Sequence, residues 1–391
     1  MNKLEIEFSE AKKLWRIPEI KAFWIIFVLQ CLVMGWTMGV YTLYILSNGL
    51  SLFQVTLLNT AFMLTDSLFN PYAGKLADKY GQKKIYVAGQ VIWALGLFSY
   101  GVFHGFWGFL MAEITAGVGA ALMSDALESW LRNNLPEDKV HKAMSHSGVL
   151  AAFGVIPAAT LGAIIGSKFG FGWPFIIEGV TGMVAVVVSI KLLRKLPEVF
   201  TNGEVDGVWQ GFKQNFGSKE LKKIAIVTFA VALATQPFNM FWAPIFQERS
   251  GESWWLGSLW IGIMIMSSIG SFWAKKQNNG LGIVKMIMII GIPMLFTPLT
   301  KSTWAIVGLF LLHESGRGAY RPIMFTFANR HFENKNRSTA NSIMSSMRTV
   351  GSAVGLLLFG ALTKLVSPVN TWGIAAVGLV ILAIWVWKRR N

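Results

Sequence analysis

Gly74-Lys-Leu-Ala-Asp78-Lys-Tyr-Gly81-Gln-Lys-Lys84 closes one long apolar run and opens the next. The flanking runs, 52–77 and 85–103, are each long enough to cross a hydrocarbon core about 30 Å thick, which takes roughly 20 residues of helix. Between them the segment gathers Lys75, Lys79, Lys83 and Lys84, and short loops so rich in positive charge stay on the cytoplasmic side. Gly74 lets a neighbouring helix come close, Asp78 suits the positive end of a helix, and Gly81 supplies the turn. Two membrane helices joined by a tight basic turn form the unit from which the rest of the chain is read.

The pattern recurs. Of 391 residues, 53% are hydrophobic and only 14% charged, and the mean hydropathy is +0.50, a balance foreign to a soluble domain. Twelve apolar runs are predicted, at 22–46, 52–77, 85–103, 106–131, 143–167, 173–193, 223–246, 254–274, 283–299, 303–329, 338–365 and 371–387. The formal net charge of +15 is spread over the connections and not collected on one face, which points to a lipid bilayer and not to nucleic acid. Cys31 is the single cysteine, so neither a disulfide framework within the chain nor a cysteine metal site is open to it.

Lysine and arginine cluster at alternate connections, among them Lys139, Lys142, Lys191, Arg194, Lys195, Lys222, Lys275, Lys276, Lys335 and Arg337, while the opposite connections hold Lys168, Arg249, Lys301 and Lys364. Both termini are then expected in the cytoplasm, with Trp107, Trp173, Trp254, Trp255, Trp304 and Trp372 in an outer aromatic belt. Residues 1–21 read as a cytoplasmic tail. The longest connection, 196–221, divides bundles at 22–195 and 222–391, and within it Trp209, Phe212 and Phe216 recur at helical spacing among lysines, as in a helix lying at the interface. Tyr44-Ile-Leu-Ser-Asn-Gly49 and Pro244-Ile-Phe-Gln-Glu-Arg-Ser-Gly251 form a loose repeat about two hundred residues apart, consistent with two related halves.

The stretch from Gly74 to Lys84 resembles the loop between helices two and three in the major facilitator superfamily, with Gln82 standing where that family usually has a basic residue. Gly172-Trp-Pro-Phe175 and Leu196-Pro-Glu198 look like family connectors. Arg317-Gly-Ala-Tyr-Arg-Pro322 through Asn329-Arg330, with Arg337-Ser-Thr-Ala-Asn341-Ser and Arg348, resemble helices ten and eleven of transporters mostly without assigned substrates. In the fifth run Ile156 precedes Pro157 and Ala158-Ala159-Thr160 follows it, so the match to the antiporter signature is partial. The resemblance implies an all-α polytopic protein of twelve transmembrane helices in two six-helix bundles, working by alternating access. In it Gly74, Asp78, Lys79, Gly81 and Lys83 would latch the cytoplasmic side, with Asp125 and Glu128 of the fourth run as partners.

Charges inside membrane helices cost a few kcal/mol on insertion scales, so each needs a partner, water or a proton. Asp66, Glu113 and Glu314 are candidates for proton coupling, with buried ion pairing as the equal alternative for the first two. Glu128 and Arg132 stand four apart, a structural pair. Glu314, Arg317 and Arg321 share a helical face, and with Arg348 they either bind an anionic substrate group or pair among themselves. Gln30, Trp36 and Tyr41 in the first run, and Gln236, Asn239 and Trp242 in the seventh, are candidates for the substrate cavity, against a bland reading as lipid-facing or packing residues. His313 reads as a satisfied polar contact. Nucleotide loops, HExxH, paired-aspartate metal motifs and Gly-x-Ser-x-Gly are absent from the sequence, so neither an enzyme, a metal nor a cofactor is indicated. The expectation is a monomeric secondary transporter of the cytoplasmic membrane. It would move a small organic molecule with the proton gradient as energy source, most readily by export of a drug-like or amphipathic solute, the alternatives being import or uniport of a polar or anionic metabolite and, more remotely, a non-transporting membrane protein.

Overall fold

A computed structural model describes residues 3–199, 219–277, 280–331 and 334–389. Every regular element among them is helical, as the bilayer demands of a chain that must satisfy its backbone groups without water. In order these are α1 (Lys3–Leu14), α2 (Pro18–Gly35), α3 (Tyr41–Ser47), α4 (Leu52–Tyr80), α5 (Gln82–Val102), α6 (Gly105–Met123), α7 (Ala126–Asn134), α8 (Glu137–Ser145), α9 (Ser147–Phe169) and α10 (Gly172–Leu193). There follow α11 (Lys219–Ala234), α12 (Gln236–Ser250), a 3-10 turn at Leu256–Ser258, α13 (Leu259–Ala274), α14 (Gly280–Leu295), a second 3-10 turn at Thr297–Leu299, α15 (Thr303–His331), α16 (Asn334–Leu362) and α17 (Pro368–Lys388). The proposed interfacial helix with Trp209, Phe212 and Phe216, and the side chains of Arg330, Arg337 and Asn341, lie outside the described residues.

Eleven described segments are long and apolar enough to cross a membrane. The twelfth expected run falls on α15, whose 29 residues would span about 43 Å at 1.5 Å per residue. It escapes the apolarity criterion because His313, Glu314, Arg317 and Arg321 sit in its middle, yet it packs against α13 and α14 like the others. Several spans are interrupted. The first breaks at 36–40, where α2 gives way to turns before α3, and the seventh breaks at Thr235, where Pro237 opens α12.

The chain forms two compact units, Met1–Gly49 with Ala61–Gly203 and Trp254–Ser258, and Leu50–Thr60 with Glu204–Ser253 and Leu259–Asn391. In unit 1, α5 packs on α6 and α10, and α2 on α9. Backbone meets backbone at Gly257 of the first 3-10 turn, where a Cβ would stand 1.8 Å from the Ala159 carbonyl oxygen of α9. At one end of this unit Leu14, Ile20, Phe23, Trp24, Trp130, Leu131 and Val140 build a buried cluster that docks α1. Trp15 stacks on Trp24, whose indole donates to the Ala143 carbonyl at 3.1 Å. Glu10 pairs with Lys142 at 2.6 Å, and each holds the other charged: the Glu10 carboxyl is lowered and the Lys142 ammonium raised from its ordinary value.

In unit 2, α13 packs on α15, α11 on α16, and α14 on both α15 and α17. A Cβ at Gly270 of α13 would come within 1.7 Å of the Ser315 carbonyl oxygen, so only glycine allows that crossing. The aromatic belt needs correction at two positions. Trp107, Trp173, Trp254 and Trp304 are exposed as expected, but Trp255 and Trp372 are buried. Trp372 is drawn inward because its indole donates to the Pro237 carbonyl in the first turn of α12 at 2.8 Å.

Candidate functional site

Unit 2 holds a half-open cavity of about 340 Å3. The break between α11 and α12 turns Thr235, Gln236 and Asn239 towards it, α15 contributes Glu314, Arg317 and Tyr320, and α16 contributes Arg348 and Ser352. Gln236 is fixed by two donations from its amide nitrogen, to Ser352 Oγ and to the Ala232 carbonyl, both at 2.9 Å. Arg317 Nη1 donates to Glu314 Oε1 at 2.6 Å, one helical turn away on the same face. Behind this pair His313 is wholly buried, its Nδ1 on the Phe310 carbonyl and its Nε2 3.5 Å from the same Glu314 oxygen. Glu314 offsets the charge of Arg317, and Arg348 has no ion-pair partner among the described residues, so the lining carries one positive charge in excess. The wall can therefore hold a small solute by amide and hydroxyl hydrogen bonds together with a cationic contact.

The sequence-predicted cavity residues separate here. Gln236, Asn239, Arg317 and Arg348 line the cavity. Arg321 does not, being exposed a turn beyond Arg317. Nor does Trp242, which is buried against Phe246 and stacked on Phe310, an anchor of the unit's aromatic core.

The polar residues of the first span belong to unit 1. Just beyond the break at 36–40, the Tyr41 hydroxyl donates to Glu113 Oε1 of α6, and the rings of Tyr100 and Phe175 surround Tyr41. Glu113 is 4% exposed and has no ion pair among the described residues. Gln30 accepts a long contact of 3.5 Å from Gln90, and the Trp36 indole nitrogen is buried without a hydrogen-bond partner. Asp66 is half-buried on α4. A second acid absent from the sequence expectations is Glu178 on α10, 2% exposed, with Thr37 of the break beside it and one carboxylate oxygen lacking a partner. Its signal was plain enough, since it is the sole acid in the run 173–193.

The basic loop is wired inward to its own unit. Gly81 has φ +97°, and the Glu198 carboxylate fills the space where a side chain would stand. The Lys83 backbone N–H donates to Glu198 Oε1 at 2.9 Å, and its ammonium donates to the carbonyls of Leu196 at 2.7 Å and Leu193 at 3.2 Å, at the end of α10. Glu128 is taken by Arg132 at 2.5 Å, so Lys83 does not reach it. The reason is local: the α10 C-terminus offers free carbonyls and an acid within one side-chain length. Gly74, Asp78 and Asp125 edge a second, smaller cavity described further below, while Lys79 is exposed and lies over the Tyr80 ring.

Many membrane helices, polar breaks within them and a polar cavity lined by helices together define a multi-pass membrane protein that handles a small molecule. The family model of the Major Facilitator Superfamily matches residues 23–332 and 281–391, and the chain belongs to that family. It is thus a membrane transporter and not an enzyme. The quinolone resistance protein NorA of Staphylococcus aureus (strain MSSA476) is 20% identical over 363 residues, covering 90% of this chain and 92% of that protein. The uncharacterized MFS-type transporter YxaM of Bacillus subtilis (strain 168) is 23% identical over 375 residues, 90% and 91% of the two chains. Among solved structures, the nucleoside transporter NupG overlays with a TM-score of 0.77 at 15% identity, over 95% of this chain and 98% of that one. An inward-facing, occupied bacterial homologue of the human lysosomal transporter Spinster does so with 0.79 at 15%, over 96% and 97%. At such identities these structures speak for the fold alone.

Proposed function

We propose that the chain is a secondary active transporter that exports a small amphipathic organic solute across the cytoplasmic membrane in exchange for protons, as a monomer with both termini in the cytoplasm. The observation that carries this reading is Glu113, a carboxylate buried in a membrane helix with a tyrosine hydroxyl and no cation to hold it among the described residues. A buried acid so placed is charged only at a cost of several kcal/mol, so gaining and losing a proton is its natural chemistry. The break beside Tyr41 supplies a place where the first span can bend as that proton comes and goes. Asp66 is a further acid on the proposed proton path, and Glu314 joins it when the solute draws Arg317 away.

The cavity walled by Gln236, Asn239, Arg317 and Arg348 would take the solute; its volume falls at the lower end of the few hundred to a thousand Å3 usual for small-molecule pockets. Export agrees with the name of NorA, a quinolone resistance protein. The test begins with a thermal-shift screen of amphipathic aromatic solutes on purified protein, followed by flux in proteoliposomes with an imposed pH gradient. Glu113→Gln should still bind the solute but lose gradient-driven flux; undiminished flux in both Glu113→Gln and Asp66→Asn would sink the coupling scheme. A second reading, import or uniport of an anionic solute, is favoured by the excess positive charge at Arg348, and counterflow without any ion gradient, lost in Arg348→Gln, would select it.

A further inference from the structure

Where α4, α5 and the α6–α7 junction meet in unit 1 lies a cavity of about 80 Å3, several times the space that one ordered water needs. Its polar lining is Asn70 and Asp78 from α4, Gln82 from the first turn of α5, Asp125 at the start of α7, and Ser129 one turn on. Every one of these can present oxygen, and none is basic. Gln82 is 6% exposed, and its carbonyl oxygen Oε1 is buried without a hydrogen-bond partner, a state that costs a polar group about 1–3 kcal/mol when nothing answers it.

Three of the nearby basic side chains are engaged elsewhere. Lys83 points its ammonium at the carbonyls of Leu193 and Leu196 and lies 4.0 Å from Glu198, Arg132 holds Glu128, and Lys79 lies over Tyr80. Asp66 and Glu128 add to the negative field at Asp125. Asp125 itself is open to solvent, which gives an ion a way in.

We infer that this cavity is a binding site for a hard metal cation, alkali or alkaline-earth, held through oxygen alone by Asp78, Asp125 and the Gln82 carbonyl, with Asn70 and Ser129 completing the shell. Oxygen-only donors of mixed carboxylate, amide and hydroxyl type are what such cations take, and two carboxylates supply the charge. Softer metals are not served, since the lining offers neither a thiolate nor an imidazole. The cation would stand where related transporters carry a basic side chain after the second glycine of this loop, so an exchangeable ion takes the place of a covalently tethered charge and ties the ends of α4 and α7 together.

The site is independent of the transport reading and is tested by stability alone. Purified full-length protein in detergent is melted in N-methyl-D-glucamine chloride, whose cation is too large for the cavity, and then with increasing NaCl, KCl or MgCl2 at constant ionic strength. A saturable rise in Tm of a few degrees with at least one metal salt is expected, and the effective salt identifies the ion. Gln82→Arg, which puts a guanidinium between the two carboxylates, should melt higher than wild type in the organic salt and no longer respond to the metal. Gln82→Leu and Asp125→Asn should each raise the half-saturating concentration about tenfold or more. A wild-type Tm identical in all four salts overturns the proposal, and so does a metal response that survives unchanged in Gln82→Leu and Asp125→Asn.

Discussion

Unit 1 and unit 2 each bury a glutamate deep in a membrane helix, and they hold it by different means. Glu113 leans on a tyrosine hydroxyl among aromatic rings, whereas Glu314 is clamped by Arg317 with His313 behind it. A hydroxyl can serve a protonated or an ionised carboxyl, because it donates or accepts as required. An arginine serves only the ionised form. The first arrangement is suited to changing its charge and the second to keeping it, unless something else in the cavity draws Arg317 away.

The contrast can be broken by substitution. The largest effect is expected from Arg317→Ala, which leaves Glu314 6% exposed beside a buried histidine; with Arg317 only partly shielded, the loss should be about 3 kcal/mol, the lower end for a broken buried pair. Denaturant titration of the purified variant checks this, and wild-type stability would mean that Glu314 does not depend on its cation. Glu314→Gln should cost about 1.5 kcal/mol, because Arg317 can turn partly to water. Tyr41→Phe should cost about 1 kcal/mol by leaving Glu113 one donor short. Glu113→Gln and Glu178→Gln should each change stability by less than about 0.5 kcal/mol, since an amide replaces a carboxyl that has no ion pair among the described residues to lose. If Glu113→Gln instead destabilises as much as Glu314→Gln, the two units hold their acids alike and the distinction falls.

The smallest effect concerns the exposed pair between Glu10 and Lys142, which should vanish at high salt. Its pH dependence has a definite sign. The lowered Glu10 carboxyl stabilises the docked α1 above the ordinary value of 4.5, and that contribution is lost as pH falls through the lowered folded value. The raised Lys142 ammonium contributes fully below 10.5 and loses its share as pH rises through the raised folded value. Protection of the Lys3–Leu14 amides, taken relative to their intrinsic exchange rate at each pH, should therefore be greatest on the plateau between and should fall in acid.

Span positions were legible in the sequence because apolar length is written locally, and the family because one short loop carries so much of its pattern. The α15 helix was legible despite its charges, and it falls short in apolarity partly through His313 and Glu314, which the folded protein buries. Pairing was less accessible. Nothing in the loop itself tells Lys83 to seek Leu193, Leu196 and Glu198 over a hundred residues away when Glu128 is nearer in chain order. Trp242 looks like a cavity residue by type, but the rotation of α12 after the break at Thr235 decides what it meets, and Arg321 stands one turn too far along α15 to line the cavity with Arg317. Glu178 gives no sign in the sequence of the polar partner it meets, because Thr37 lies about 140 residues earlier in the chain.

The 3-10 turn at Leu256–Ser258 bears on how the protein is made. Gly257 lies against Ala159 of α9, and a Cβ on Gly39, in the broken part of the first span, would stand 3.1 Å from Gly257 backbone atoms. An interrupted helix cannot leave its backbone to lipid, so this patch needs protein cover. The covering turn emerges from the ribosome roughly two hundred residues after the break it protects, a delay on the order of 10–40 s at ordinary elongation rates. During that interval unit 1 is inserted but unfinished, and a chain truncated before residue 254 would stay so. Its N-terminal half is therefore a dependent fragment, completed only by a piece of chain borrowed from beyond the midpoint.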